Sequence, residues 1–143
     1  MGRPAKISDL DILKELRKNA RVSYRELAKK FGVSDTAIRK RIKKLEQMGI
    51  IKKYTIEIDP KLLGYGVITI IGIDTKPEHY VSILEKLKTI DEVISLYSTS
   101  GDHMILIESW FKTYDEFTKF IKMLEQMEGV TRVCPAIIIE KIK

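Results

Sequence analysis

Five cationic side chains crowd one short stretch of the chain, SDTAIRKRIKKLEQMG, residues 34–49. They are Arg39, Lys40, Arg41, Lys43 and Lys44. Like charges four positions apart on a helix destabilise it by a few tenths of a kcal/mol, so a purely structural helix would mix the signs. Phosphates relieve such repulsion, because a protein that binds DNA neutralises successive phosphates with Lys and Arg. The stretch therefore indicates a surface that binds a polyanion.

The net charge of +6 is distributed unevenly along the 143 residues. Residues 1–60 contain 16 Lys and Arg against 8 Asp and Glu, whereas residues 61–143 contain 10 against 12. A basic surface that only keeps a protein soluble would not be expected to collect in one half. The segregation favours a nucleic-acid partner for the first half and a different role for the second.

Composition excludes several other classes of protein. The longest apolar run, GVITIIGI, is far shorter than the roughly 20 residues that span a bilayer. No leader with a charged start and an apolar core is present. The single cysteine, Cys134, excludes an internal disulfide and suits a reducing compartment. We expect a cytoplasmic protein with no membrane segment.

Residues that could catalyse a reaction or bind a metal are few. His79 and His103 are the only histidines, and no cluster of Cys and His has the spacing of metal ligands. Asp102 and His103, with Ser98 or Ser100, are triad residue types, but neighbouring positions on a tight hairpin cannot supply triad geometry. The sequence predicts no enzyme, no metal site and no cofactor.

The cationic stretch predicts a helix with two distinct faces. Ser34 is placed as its N-cap. Ile38, Ile42 and Leu45 recur at helical spacing and predict one narrow buried seam. The cations lie outside this seam, although Arg41 borders it and is placed for either a phosphate or an intramolecular acid.

The residues before this helix predict how it is held. Ala28 allows two helices to cross closely, Gly32 permits a tight turn, and Ile38 anchors the second helix, which together are typical of a helix-turn-helix. Such a unit presents the start of its second helix to the major groove of double-stranded DNA. The residues predicted nearest to bases are Ser34, Asp35, Thr36, Arg39, Lys40 and Lys43, and those predicted nearest to phosphates are Arg41, Lys44, Lys52 and Lys53. The alternative is a three-helix bundle whose cationic face is only solvated.

Three segments flank the predicted helices. Alternation of apolar and polar residues over 54–58 predicts a strand in a hairpin that follows the third helix. DPKLLGYG, residues 59–66, contains Pro and two Gly and predicts a linker. GRPAK, residues 2–6, resembles the core of an AT-hook, which binds narrow A·T-rich minor grooves. Because the motif is only three residues long and lacks basic residues before it, we expect a flexible tail over residues 1–8, with the AT-hook as the alternative.

The second half contains an internal repeat at an offset of 37 residues. YVSILEKLKTIDEVISLYS, residues 80–98, aligns with FTKFIKMLEQMEGVTRVCP, residues 117–135. Each copy predicts a helix followed by a strand, and an apolar strand precedes each copy. The order β-α-β-β-α-β is the ferredoxin-like arrangement, with both helices on one face of an antiparallel sheet. The other face should carry alternating apolar residues and be covered by a second copy of the chain.

The chain resembles the Lrp/AsnC family of transcription regulators. The resemblance rests on two stretches, DLDILKELRKNARVSYRELAKKFGVSDTAIRKRIKKLEQMGIIKKYTIEIDPKLLGYG and YSTSGDHMILI. It implies an α+β protein in which a winged helix-turn-helix DNA-binding domain precedes a βαββαβ ferredoxin-like effector domain, also called a RAM domain. The boundaries we expect are 1–58 for the first domain, 59–66 for the linker, and 67–143 for the effector and oligomerisation domain.

The resemblance also implies partners and a ligand. Two effector domains would pair through their sheets into a homodimer, and dimers would assemble into tetramers or octamers. An amino-acid effector would bind beside the loop Gly-Asp-aromatic-Asp, which matches this chain at Gly101 and Asp102. His103 and Met104 depart from that pattern. The pocket residues carried over are Tyr97, Ser100, Gly101 and Asp102.

Two functions from different classes remain open beside the leading one. The leading prediction is a sequence-specific regulator that binds palindromic DNA sites and is modulated by an amino acid or a related small effector. The alternative is an architectural protein that coats DNA without any effector. A metabolite-sensing module that controls a partner enzyme is a third reading, for which the helix-turn-helix half leaves little room.

Overall fold

The computed structural model describes residues 7–143, which divide into two compact units between Ile58 and Asp59. The GRPAK motif lies outside the described residues, as does most of the predicted tail, but Ser8 is described and caps the first helix. Among residues 7–143, no helix combines the length and the apolar character that a membrane span requires.

The first unit contains three helices, α1 (Asp9–Lys18), α2 (Tyr24–Phe31) and α3 (Asp35–Gln47). Ser8 and Ser23 each form a capping box with the acid three residues later, which satisfies backbone N–H groups that a helix start leaves unpaired. Gly32 ends α2 with φ of 66°, a left-handed conformation that favours glycine. The core that joins the helices is apolar and consists of Ile12, Leu27, Ala28, Ile38 and Ile42.

The predicted hairpin after α3 is wrong for the isolated chain, because residues 52–59 form no strand. Tyr54, Ile56 and Ile58 are 50%, 76% and 41% exposed. An alternating pattern specifies which side chains share a face, but a strand also needs a neighbour that pairs with its backbone N–H and C=O groups. Within residues 7–143, no strand pairs with this segment.

The second unit confirms the predicted β-α-β-β-α-β order. Its elements are β1 (Val67–Thr75), α4 (Tyr80–Lys88), β2 (Val93–Ser98), β3 (Ile105–Phe111), α5 (Tyr114–Gln126) and β4 (Val130–Ile137). Short 3-10 helices precede β1 at Pro60–Leu63, within the predicted linker, and precede α4 at Pro77–His79. The sheet has the order β2-β3-β1-β4, and neighbouring strands are antiparallel.

The internal repeat corresponds to equivalent packing positions. Leu87 on α4 and Leu124 on α5 are aligned by the repeat, and both are fully buried in one core. They pack with apolar residues from one face of the central strands, among them Ile71, Ile73 and Ile107. Both helices therefore cover the same face of the sheet.

The opposite face, which we call the open face, is more polar than predicted. Its central positions alternate with the core residues and are Ile68, Ile70, Gly72, Asp74, Leu106, Glu108 and Trp110. On β4, Arg132 lies opposite Asp74 and Cys134 lies opposite Gly72. Cys134 is therefore a partly exposed residue of the open face.

Candidate functional site

Helix α3 is held from one side and presents its cations from the other. Ile38, Ile42 and Leu45 are at most 2% exposed, so the predicted buried seam is confirmed. Ser34 caps the helix by accepting a hydrogen bond of 3.1 Å from the backbone N–H of Ala37. The remaining exposed residues of the predicted interface on this helix are Asp35, Thr36, Arg39, Lys40, Lys43 and Lys44.

Most cations of this predicted interface have no acidic partner. Lys40, Lys43 and Lys44 form no ion pair within the described chain. The same is true of Lys52 and Lys53, which lie on the extended segment after α3. Their mutual repulsion is therefore unrelieved by the protein's own residues and would be relieved by phosphates.

The two arginines of α3 differ in what holds them. Arg41 is partly buried, and its Nε lies 3.3 Å from Oδ1 of Asp9 on α1. This contact corresponds to the intramolecular acid that the sequence left open as one role for Arg41. Arg39 instead lies over the ring of Tyr24 at the start of α2, with its Cζ 5.2 Å from the ring centroid. No carboxylate of residues 7–143 forms an ion pair with Arg39.

Glu46, near the C-terminal end of α3, also has a partner within the protein. Glu46 accepts a hydrogen bond of 3.1 Å from the hydroxyl of Tyr54. Partial burial, together with this hydrogen bond and the charge of Glu46, raises the pKa of Tyr54 to about 12. The bond removes the nearest helix acid from competition with phosphates for the neighbouring cations.

The predicted effector loop lies in the second unit, between β2 and β3. Ser100, Gly101 and Asp102 are exposed at its tip, and Gly101 has φ of 126°. The backbone N–H of Thr99 donates to the carbonyl of Met104 at 2.9 Å, which closes the turn. Tyr97, the fourth predicted residue, lies on β2 opposite Leu106 and belongs to the open face.

A cluster of polar side chains anchors this loop to the open face, and Asp74 is its centre. Oδ1 of Asp74 accepts the backbone N–H of Met104 at 3.0 Å, and Oδ2 accepts Nε of Arg132 at 2.8 Å. Oδ2 also lies 3.1 Å from Nδ1 of His103. Arg132 donates to the backbone carbonyl of Asp102 at 3.1 Å. Two neighbouring strands and the loop are therefore joined through one carboxylate.

The same contacts determine the charge of Asp74. Partial burial alone would raise its pKa, but hydrogen bonds from His103, Arg132 and the Met104 N–H hold the pKa below its ordinary value. Nδ1 of His103 is shared, since it can donate to Asp74 or accept from Arg132, whose nitrogen is 3.2 Å away. In the tautomer of His103 that carries its proton on Nδ1, the ring donates a hydrogen bond to Asp74.

The sequence did not identify Asp74 or Arg132 as part of this loop region. The only local signal in the sequence concerns Asp74, which is the one charged residue in the apolar run of β1. A separate open groove of about 830 Å³ lies around the far end of β3 and the start of α5, and none of the four predicted effector residues lines it.

Comparisons with known proteins agree with both units. A model of winged helix-turn-helix DNA-binding domains matches residues 6–52, and the model of the Lrp/AsnC ligand-binding domain matches residues 68–143. The HTH-type transcriptional regulator LrpA of Pyrococcus horikoshii is 49% identical over 136 residues, which cover 94% of this chain and 96% of that protein. The regulator Ptr1 of Methanocaldococcus jannaschii is 38% identical over 113 residues, covering 79% and 76%.

Solved structures show the same fold at full length. AsnC of E. coli superposes with a TM-score of 0.82 and 36% identity, covering 96% of this chain and 95% of that one. LrpC of B. subtilis gives 0.83 and 28%, covering 96% and 98%. Together with the exposed cationic helix and the βαββαβ unit, these matches establish that the chain belongs to the Lrp/AsnC family and is a DNA-binding transcriptional regulator, not an enzyme.

Proposed function

We propose that the chain reads a palindromic DNA site as a homodimer, with one α3 helix in each of two major grooves. The observation that carries this proposal is the outward cationic face of α3, which is fixed from behind by Ile38, Ile42 and Leu45 and has no acid that neutralises Lys40, Lys43 or Lys44. A helix held in this way can enter a groove without rearrangement. A dimer with two-fold symmetry would bind half-sites separated by whole helical turns.

Within α3, different cations have different proposed roles. Arg39, Lys40 and Lys43, with Ser34, Asp35 and Thr36, would contact base edges near the start of the helix. Lys44, Lys52 and Lys53 would contact phosphates, which position the helix but carry no sequence information. Arg41 would also contact a phosphate, while its Nε remains paired with Asp9.

The open face supports dimerisation in the second unit. Leu106 and Trp110 are only partly buried there, and Tyr97 is 57% exposed. Covering these side chains with the same face of a second copy would remove apolar surface from water. Further assembly of dimers into tetramers or octamers is part of this proposal.

The effector proposal rests on the loop and its anchor. The exposed backbone at Gly101, in its left-handed conformation, can offer an N–H group to a ligand carboxylate. Tyr97, Ser100 and Asp102 would contribute the remaining contacts. An amino acid or a related small carboxylate is the proposed class of effector.

Selection of preferred sites from random duplexes tests the DNA proposal. We expect a palindromic site, and we expect the logarithm of the binding constant to fall linearly with the logarithm of salt concentration. Arg39→Ala, Lys40→Ala and Lys43→Ala should change the selected sequence, whereas Lys44→Ala and Lys52→Ala should weaken binding to all duplexes alike. Equal binding of the selected and random duplexes would contradict sequence-specific reading and favour the architectural alternative.

Two solution measurements test assembly and effector. Sedimentation should give a dimer or a multiple of it, and Leu106→Lys should shift the protein toward the monomer. The single tryptophan, Trp110, lies on the open face, so its emission should shift to the red when the dimer dissociates.

Thermal melting with each amino acid should identify a ligand, since a ligand at 100 times its Kd adds about 2.7 kcal/mol to the free energy of unfolding. An unchanged melting temperature with all of them would support an effector-independent protein.

A further inference from the structure

We propose that Tyr24 is a positioning residue for DNA reading, because its ring holds the guanidinium of Arg39 in the orientation that contacts a base. Tyr24 is the first residue of α2, whereas Arg39 is on the outward side of α3. The Cζ of Arg39 is 5.2 Å from the centroid of the Tyr24 ring. This inference rests on the proposed function of α3 and adds a residue from a different helix to it.

Stacking is a suitable way to hold an arginine that must still bind. A guanidinium over an aromatic face is attracted by the ring, but its N–H groups point outward in their own plane and remain available. A carboxylate partner would occupy those same N–H groups, as Asp9 does for Arg41. The structure thus contains both contacts on one helix. Of the two arginines, only Arg39, which lies over the Tyr24 ring, has no carboxylate partner within residues 7–143.

A fixed guanidinium plane matters for reading a base. Arg donates two parallel hydrogen bonds to O6 and N7 of guanine, and this contact needs the fork in the plane of the base. A free Arg side chain loses rotamer entropy when it is ordered. The Tyr24 ring imposes part of this order before DNA arrives, so the ring contributes to discrimination without touching a base.

The surroundings of Tyr24 favour this role over a purely structural one. The side chain is 37% exposed, and Tyr24 is absent from the apolar core of the first unit. Ser23 and Glu26 cap α2 without using the Tyr24 side chain. Replacing the ring should therefore leave the fold intact.

The test compares Tyr24→Leu, which removes the aromatic face, with Tyr24→Phe, which keeps the face and removes the hydroxyl. Binding of each variant is measured to the selected site, to the same site mutated at the base that Arg39→Ala identifies, and to a random duplex. We expect Tyr24→Leu to reduce discrimination at that base about two- to fivefold, the fold-change that corresponds to an exposed cation–π contact. Tyr24→Phe should discriminate as the wild type does.

A double variant and a measurement without DNA complete the test. In the Arg39→Ala background, Tyr24→Leu should have no further effect on discrimination, since the ring acts through Arg39. In the free protein, NMR signals of the Arg39 side chain should lose their ring-current shift in Tyr24→Leu and keep it in Tyr24→Phe. Circular dichroism melting should show both variants folded.

Several outcomes would overturn the proposal. One is that Tyr24→Leu and Arg39→Ala reduce base discrimination independently, so that their fold-changes multiply in the double variant. A second is that Tyr24→Phe loses as much discrimination as Tyr24→Leu. A third is that Tyr24→Leu weakens binding to all duplexes by the same factor. If wild type and Arg39→Ala both discriminate bases in the expected way but Tyr24→Leu equals wild type, only the role of Tyr24 is wrong. If the wild type shows no base preference, sequence-specific reading fails and the positioning role fails with it.

Discussion

Helix α3 and the loop between β2 and β3 both concentrate charged side chains, but they arrange them in opposite ways. On α3, Lys40, Lys43 and Lys44 have no acidic partner in the described part of the chain. Around the loop, one carboxylate, that of Asp74, accepts hydrogen bonds from a backbone N–H and a guanidinium and contacts an imidazole. The first arrangement raises the free energy of the folded protein, whereas the second lowers it.

The difference follows from what each region is proposed to bind. A surface that binds phosphates gains most when its cations are unpaired beforehand, because no internal ion pair has to be broken. A loop that presents backbone groups to a small ligand must have a defined position, since displacement by about 1 Å can remove a hydrogen bond. The hydrogen bonds that Asp74 accepts from Met104 and Arg132 hold the loop in that position. The contrast predicts opposite signs for substitutions in the two regions.

The largest effect on stability is expected from Asp74→Ala. The variant leaves the Met104 N–H and the His103 ring without their acceptor, and an unsatisfied polar group costs about 1–3 kcal/mol. Urea unfolding of the second unit at pH 7 should show a loss in this range. Asp115→Ala, which removes the exposed partner of Lys119, is the matched control and should change the free energy of unfolding by less than about 1 kcal/mol.

The pH dependence of the same variant gives an independent check. The folded-state pKa of Asp74 is lowered, so its contribution is present above its unfolded pKa of about 4 and is lost as pH falls through the folded value. The wild type should therefore lose stability on acidification below about pH 4, and Asp74→Ala should lose less over the same interval. Parallel pH profiles for the two proteins would contradict the proposed electrostatic role of Asp74.

The next effect is expected from Gly72→Ala. A Cβ on Gly72 would collide with the His103 ring, so the ring has to leave its place beside Asp74. Overpacking of this kind costs roughly 1–3 kcal/mol. In the His103→Ala background the same substitution should cost less than about 0.5 kcal/mol, since Gly72 does not have a positive φ. An equal cost in both backgrounds would show that His103 is not the obstacle, and urea unfolding measures both.

Sequence patterns predicted the features that depend on local spacing. The buried seam of α3, the cap at Ser34 and the glycine turn at Gly32 each follow from residues within a few positions of one another. The repeat predicted the order of helices and strands for the same reason. It pairs Leu87 with Leu124, and both are fully buried.

The features that sequence patterns missed depend on long-range register. Asp74 and Arg132 are neighbours only because β1 and β4 pair in one register, and a pattern of period two fits other registers equally well. The contact between Tyr24 and Arg39 depends on how two helices cross. The segment 54–58 has the pattern of a strand, but a second strand must pair with it. Its pattern alone therefore could not decide the outcome.

A smaller effect, with the opposite sign, is expected on α3. Lys43 lies four positions after Arg39 and three after Lys40, so Lys43→Gln removes like-charge repulsion and should raise stability by a few tenths of a kcal/mol. The same change should weaken DNA binding and, if Lys43 also neutralises a phosphate, reduce the salt slope by about one. Lys30→Gln is the control, because Lys30 pairs with Glu15 at 2.7 Å and its loss should lower stability slightly. If both substitutions lower stability, the cations of α3 do not repel one another appreciably.

The smallest effect concerns Tyr54 and tests whether Glu46 is held away from the cations of α3. The pKa of Tyr54 is raised to about 12, so the protein binds more protons folded than unfolded between about pH 10 and pH 12. The contribution of Tyr54 to stability is therefore present below about pH 10 and declines as pH rises toward the folded value. Tyr54→Phe removes this decline, and chemical unfolding at several pH values between 8 and 12 should give a shallower profile than the wild type. The variant also frees Glu46 to pair with a lysine of α3, which would weaken binding to every duplex slightly. A weaker affinity with an unchanged pH profile would mean that Tyr54 contacts DNA itself, whereas both changes together identify the bond to Glu46 as the cause.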